Sequence, residues 1–187
     1  RCSAGTYIRA LARDLGEDRC FDTPLAESGI VGFALGMAMN GFRPVVEMQF
    51  DAFALPAFEQ VVSHVAKLGN RTRGGMRMPL VIRIPFGGGI GAVEHHSESN
   101  EAYFAHTAGL RVVACSNAHD AHWMIQQAVE TDDPVVFYEP KRRYWDKGEV
   151  AGRGSDPLPT ARWFFLPLTA GGRRLGVLGI AYGDDRL

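Results

Sequence analysis

From Glu27 to Met39 the string ESGIVGFALGMAM is apolar all round, with one acid at its head. That pattern predicts a buried helix rather than an amphipathic surface one. Gly29, Gly32 and Gly36 recur within it, and each costs helix stability, so close backbone approach is expected along that side. Beyond it, short apolar runs alternate with helical spacings. Pro44–Phe50 (PVVEMQF), Pro79–Ile84 (PLVIRI), Leu110–Ala114 and Pro134–Tyr138 read as strands. Ala52–Leu68 reads as a helix kinked or started at Pro56, Glu101–His106 as a short helix, and Asn117–Glu130 as a longer one. Gly69–Met78 is a basic, glycine-containing surface loop. Nearer the start, Tyr7, Ile8, Leu11 and Leu15 share one helical face that Gly16 can end, and Arg19–Phe21 is extended towards Thr23–Pro24.

Apolar strands alternating with helices predict an α/β domain in three layers, a mostly parallel sheet with helices on both faces. The expected division is a domain over 1–148, a linker over 149–162 rich in Gly, Pro and charge, and a β-hairpin appendage over 163–187 turning at Ala170–Arg173. No internal repeat is visible.

Composition narrows the classes of function. The 187 residues are 46% hydrophobic and 22% charged, with net charge -1, enough for one sizeable core. Near-neutral charge argues against nucleic acid as a partner, and the apolar runs are too short and too interrupted to span a membrane. Cys2, Cys20 and Cys115 show neither metal-site spacing nor a disulfide framework, so a reducing cytoplasm is expected.

Glu27 raises a chemical question, because no other charge occurs from Ser28 to Asn40. A carboxylate at a helix start can simply answer the helix dipole. It can equally be a proton-handling group in a dry cleft. The loop Gly87–Gly91 lacks the Lys-Ser/Thr of a phosphate-binding loop, so it reads as a turn presenting Glu94-His95-His96-Ser97-Glu98-Ser99 to a cleft. Adjacent histidines point apart, which disfavours shared metal ligation but leaves one as a proton donor or acceptor. His119 and His122 lack a third ligand and read as a solvated helix face. Phe50, Phe53 and Phe58 read as core, and Lys141–Arg143 beside Tyr144–Trp145 as a surface or interface anchor.

Several strings carry a resemblance: Phe21-Asp-Thr-Pro-Leu-Ala-Glu-Ser-Gly-Ile-Val-Gly, Glu47-Met-Gln-Phe-Asp, Phe58-Glu-Gln, Gly91-Ala-Val-Glu-His-His-Ser-Glu-Ser and Pro134-Val-Val-Phe-Tyr-Glu-Pro-Lys. In this order and spacing, residues 16–148 closely resemble the N-terminal, pyrimidine-binding domain of the beta subunit of thiamine-diphosphate-dependent E1 components of 2-oxoacid dehydrogenase complexes. The ending FYEPKRRYW (Phe137–Trp145) is more similar to the branched-chain members than to the pyruvate members.

The resemblance implies a thiamine-diphosphate-binding fold and oxidative decarboxylation of a 2-oxoacid, of the branched-chain class. It implies that Glu27 bonds N1′ of the cofactor's aminopyrimidine, favouring the imino tautomer that takes the thiazolium C2 proton. Gln49 and Phe53 would line the pyrimidine pocket, Phe53 standing where related sequences often have Tyr. His96 would assist acyl transfer to lipoate. Leu80, Thr131 and Asp133 fall near a monovalent-cation site, of K⁺ type, seen in some relatives. The Gly-Asp-Gly…Asn motif that holds the diphosphate and Mg²⁺ belongs to the alpha subunit; the nearest string here is Gly183-Asp-Asp185. The implied partners are therefore an E1 alpha subunit, a second beta chain and a lipoyl-bearing E2.

Both ends depart from the family. Arg1–Gly16 resembles a motif of bacterial tRNA pseudouridine synthases, without that family's catalytic aspartate motif, so RNA modification is not expected. Leu166–Ile180 resembles a hairpin of GAF-type sensor domains. Two rival readings follow: a non-catalytic, truncated or recombined fragment of such a subunit, and a sensory module defined by the tail.

Overall fold

The computed structural model describes residues 19–149 together with two strands at 162–170 and 173–182. In chain order the elements are helix α1 (Glu27–Met39), strand β1 (Val45–Glu47), a 3₁₀ turn (Asp51–Ala54), a π-helical segment (Gln60–Val65) and helix α2 (Leu68–Arg71). Strand β2 (Val81–Phe86), a 3₁₀ turn (Glu94–His96), helix α3 (Glu101–Ala105) and strand β3 (Arg111–Ala114) follow. Helix α4 (Ala118–Glu130), strand β4 (Val135–Pro140) and a 3₁₀ turn (Lys141–Arg143) complete the domain.

The sheet has the order β1-β2-β4-β3, and every pair is parallel. Alternation along a strand sends successive side chains to opposite faces. Ile82, Ile84, Val136 and Tyr138 meet Val31 of α1, Val61 and Val65 of the π-helical segment and Phe104 of α3. Val81, Val135 and Phe137 meet Ala121, Met124, Ile125 and Ala128 of α4 on the other side. The expected three-layer α/β arrangement is therefore present, with the sheet as its buried middle. Among the described residues no helix is long and apolar enough to cross a membrane.

Boundaries moved where local chemistry intervened. The strand expected over Pro44–Phe50 pairs only from Val45 to Glu47; Met48 N–H still bonds the Arg83 carbonyl at 2.9 Å, and Phe50 then enters a 3₁₀ turn. The single helix expected over Ala52–Leu68 is broken. Around Pro56, which has no N–H to give, the bonds are short-range (Ala57 to Ala54, Phe58 to Leu55), and the later Ala66-to-Val61 bond at 2.9 Å is the wider π pattern. The loop expected from Gly69 begins as the last turn of α2 and then bends through Arg73 and Gly74, both with positive φ.

Helix α4 is held at both ends. The Asn117 side chain accepts from the Asp120 N–H at 2.8 Å, an N-cap. At the C-terminus, Arg43 Nη1 donates to the carbonyls of Val129, Glu130 and Thr131 at 3.1, 3.2 and 2.9 Å, while Nη2 bonds Asp132 at 2.5 Å. Gly109, before β3, has φ +99, and a Cβ there would lie 1.9 Å from the Ala66 carbonyl oxygen.

Strands β5 (Arg162–Ala170) and β6 (Arg173–Tyr182) pair antiparallel, the hairpin expected from the tail. The helix read within residues 6–15, most of the linker and Gly183-Asp-Asp185 lie outside the described residues.

Candidate active site

Ligand sites in parallel α/β sheets form at the carboxyl ends of the strands. Here β1 leads into residues 48–54, β2 into the glycine loop and residues 94–96, and β4 into residues 141–146. Helix α1 feeds β1 through a short connection and packs back on the same sheet, so its first residue, Glu27, returns to that carboxyl edge. Topology thus gathers Glu27, Gln49, Phe53 and His96 at one edge.

Contacts join only some of them. The rings of Phe50 and Phe53 lie 5.9 Å apart, and both present edges to His96, at 4.3 and 5.7 Å. His96 is half-buried, and its Nδ1 is buried with no hydrogen-bond partner among the described residues. His95, exposed, turns instead to Glu94 at 3.4 Å, so the adjacent histidines do separate work. Gln49 is exposed. Glu27 is half-buried, and its carboxylate makes no hydrogen bond or ion pair with any described residue.

Beneath the rings lies a polar hub. Lys141 Nζ donates to Asp51 Oδ1 and to the His96 carbonyl, both at 2.6 Å, and sits 5.2 Å from the Phe50 ring centroid. Lys141 is 5% exposed and Asp51 0%. Asn100 Nδ2 donates to the Asp51 carbonyl at 2.7 Å, and the Tyr138 hydroxyl donates to Asn100 Oδ1 at 2.8 Å. Asp51 Oδ2 and Glu101 Oε2 are also buried without partners among the described residues, and burial, with the Asp51 charge adding, pushes the Glu101 carboxyl above its ordinary pKa. The expected surface role of the Lys141–Arg143 run therefore fails at Lys141, which β4 carries inward. Arg142 and Arg143 remain exposed, and Trp145 is 73% exposed.

On the opposite face of the same edge, Arg83 grips Glu139 at 2.6 and 3.0 Å and reaches Glu47 at 3.2 Å. Burial raises the Glu47 pKa against the lowering effect of Arg83.

Leu80, Thr131 and Asp133 lie at the other end of the sheet, before β2 and β4. The Leu80 carbonyl accepts from Val135 N–H at 2.9 Å, the Thr131 carbonyl from Arg43 at 2.9 Å, and Asp133 pairs with Arg111. The positive charge at the Thr131 carbonyl comes from Arg43. His119 and His122 are exposed on α4, the solvated face the spacing suggested. Among the described residues no group of three or more His, Cys, Asp or Glu could hold a metal ion. The described residues thus fit a partly apolar heteroaromatic ring at the carboxyl edge, and do not fit a divalent metal.

Asp51, Asn100 and Lys141 escaped sequence reasoning. A lone acid inside Met48-Gln-Phe-Asp-Ala-Phe, read as Glu27 was read, would have marked Asp51.

The family model described as transketolase, pyrimidine binding domain, matches residues 1–146. A pyruvate dehydrogenase E1 component subunit beta from Leifsonia xyli subsp. xyli is 60% identical over 149 residues, 80% of this chain and 44% of that protein. A 3-methyl-2-oxobutanoate dehydrogenase subunit beta from Mycobacterium tuberculosis is 56% identical over 147 residues, 79% of this chain and 42% of that protein. A 2-oxoisovalerate dehydrogenase subunit beta from Bacillus subtilis is 44% identical over 151 residues, covering 80% and 45% respectively. The chain spans less than half the length of these relatives.

A solved split-gene transketolase, described as an inactive beta4 tetramer, aligns with TM-score 0.57 at 19% identity, covering 73% of this chain and 43% of that one. That is a likeness of fold. These comparisons lend no support to the pseudouridine synthase and GAF resemblances. A family match running from residue 1 to 146, on a parallel sheet of this order, establishes descent: the chain belongs to the family of transketolase pyrimidine-binding domains.

Proposed function

We propose that this chain is an E1 beta-type chain of a 2-oxoacid dehydrogenase, serving oxidative decarboxylation and transfer of the acyl group to a lipoyl-bearing E2. The relatives bear the names of both pyruvate and branched-chain enzymes. Between these, the Phe137–Trp145 ending supports a branched-chain 2-oxoacid. One observation carries the reading: Glu27 offers a half-buried carboxylate, unpartnered by its own described chain, at the head of an apolar helix on the sheet's carboxyl edge.

Thiamine diphosphate, when bound, supplies the carbon nucleophile and the electron sink that decarboxylation requires. Glu27 would hold a proton between its carboxyl and N1′ of the aminopyrimidine, helped by the positive end of α1. Phe53, packed on Phe50, would form an apolar wall that excludes water, and Gln49 would orient the ring. His96 would assist acyl transfer at its imidazole. The diphosphate and Mg²⁺ would be held mainly by an alpha subunit, and among the described residues no group of three or more His, Cys, Asp or Glu competes for the metal. A monovalent cation at Leu80, Thr131 and Asp133 would act on stability, far from the proton transfers.

Partner contacts have support in α1. Among the described residues a Cβ at Gly36 would meet nothing within 4 Å, so their packing does not require the glycine. Phe33 and Met39 on the same helix are exposed, which suits the approach of an alpha subunit or a second beta chain. We take the site of action to be the cytoplasm.

The test is reconstitution with an E1 alpha subunit, thiamine diphosphate and Mg²⁺. Glu27→Gln should lower decarboxylation about 10²- to 10⁴-fold with folding intact, the range for a positioned acid/base group. Near-wild-type turnover refutes the assignment. His96→Ala should impair lipoyl acylation more than decarboxylation with an artificial electron acceptor.

A further inference from the structure

We infer that Lys141 is a positioning residue for His96, tethering by its ammonium the turn that carries the imidazole. The inference rests on the reading of His96 given above. It starts from the cost of the arrangement. Burying a lysine and an aspartate together sacrifices the hydration of both charges, and apolar residues of similar volume could fill the space at least as stably. What the pair provides is direction. Asp51 fixes the ammonium from one side, and a second N–H points at the backbone carbonyl of His96 itself, each contact 2.6 Å long. Lysine suits this task because its rotatable ammonium donors can reach two unrelated acceptors from one compact head.

His96 ends a three-residue 3₁₀ turn whose local bonds are His96 N–H to Val93 and Ser97 N–H to Glu94, at 2.9 and 2.8 Å. The other contacts around the turn hold its flanks, Gly87 N–H to the Glu98 carbonyl at 2.7 Å and Ser97 Oγ to the Ala92 carbonyl at 3.0 Å, or are ring contacts, with His95 at 4.3 Å from His96. The approach to that turn contains Gly87, Gly89 and Gly91, all with positive φ, and belongs to neither sheet nor helix. The imidazole's position therefore depends on the Lys141 tether and on the flanking rings. Lys141 sits beneath one of those too, 5.2 Å from Phe50, which itself lies 4.3 Å from His96. Asp51 is in turn tied through Asn100 to Tyr138 of β4. The chain of contacts runs from the sheet to the imidazole, and Lys141 is the link that spans the gap.

Two measurements test this. In the chain itself, Lys141→Met should speed amide exchange at His96 and Ser97 by about 10- to 100-fold relative to Ile82 and Val136 in the sheet, the range for losing a charge-assisted hydrogen bond. Lys141→Arg should retain part of the protection, and Asp51→Asn, which keeps an acceptor, should show a smaller change of the same sign. If Lys141→Met does not fold, those two variants carry the test. Exchange rising equally at all four amides, or at none, overturns the inference.

In the enzyme reconstituted with an alpha subunit, Lys141→Met should lower lipoyl acylation more than decarboxylation with an artificial acceptor. The double variant with His96→Ala should be no worse than His96→Ala alone. Additive losses overturn the positioning role. If His96→Ala itself shows no selective loss while the exchange result holds, the tether stands and the reading of His96 falls.

Discussion

Replacing Asn100 by alanine should show how much of the site's support rests on one buried amide. Asn100 is 3% exposed, donates to the Asp51 carbonyl and accepts from the Tyr138 hydroxyl, and both partners are 0% exposed. The truncation leaves the Tyr138 hydroxyl unpaired in the interior, at about 1–3 kcal/mol, and removes one donor from the Asp51 carbonyl, which also closes its 3₁₀ turn, at about 1 kcal/mol. A water entering the vacated volume can satisfy part of this, which favours the lower part of the sum, about 2–3 kcal/mol. For a chain of this length each kcal/mol moves Tm by about 2–4 °C, so a fall of roughly 4–12 °C is expected.

The assay is thermal and urea unfolding of Asn100→Ala, Tyr138→Phe and the double variant. Tyr138→Phe orphans only the Asn100 oxygen. The double variant lacks both ends of that bond, so it should be less destabilised than the sum of the singles by about 1–2 kcal/mol. A single variant within about 0.5 kcal/mol of wild type, or strict additivity, would refute the view that these bonds hold the hub.

Other consequences are as accessible. Gly109→Ala must displace the Ala66 backbone and adopt positive φ, so it should cost about 3 kcal/mol or more in urea unfolding; Gly87→Ala, with positive φ but open space, should cost about 1–2 kcal/mol. Burial pushes the Cys115 thiol up to about 11, so alkylation near pH 8 should be slow until the protein unfolds. Because that folded value lies above the thiol's ordinary value of about 8.5, the stabilisation is full below that pH and declines as pH rises towards 11. Cys115→Ala should flatten the decline in a pH series of melts. Arg43→Met removes three carbonyl bonds and the Asp132 pair in a half-exposed setting, an expected loss of about 1–2 kcal/mol by calorimetry. Glu101→Gln should raise Tm at pH 7, since burial lifts that carboxyl's pKa, and the gain should vanish below about pH 4.3, where the unfolded acid is protonated too.

Much of this architecture is legible along the chain, and the exceptions have physical causes. The all-round apolar run gives α1, and the Asn117 cap ahead of a periodic stretch gives α4. Val135–Tyr138 is a continuous apolar run, and Val81–Ile84 is interrupted only by Arg83, because both faces of those strands are covered. The helix expected after Ala52 broke because a proline withholds a donor and the chain resorts to tighter, then wider, turns. Glu27 stands out because it is the wrong kind of residue for its neighbourhood, whereas only the family resemblance separates His96 from His95. Lys141 does not stand out, for it is followed by Arg142 and Arg143, and only the convergence of segments forty-five and ninety residues away in sequence buries it. Burial created by distant segments leaves no local trace.

The order β1-β2-β4-β3 places the last strand of this sheet to be synthesised between two earlier ones. During translation β3 has no hydrogen-bonded neighbour until Val135–Pro140 leaves the ribosome, so the nascent chain carries an open, aggregation-prone edge until that moment. The residue that follows the inserted strand is Lys141. The final stroke of sheet assembly thus also delivers the ammonium that fastens the His96 turn, so a ribosome stalled before residue 141 would release a product with that turn untethered.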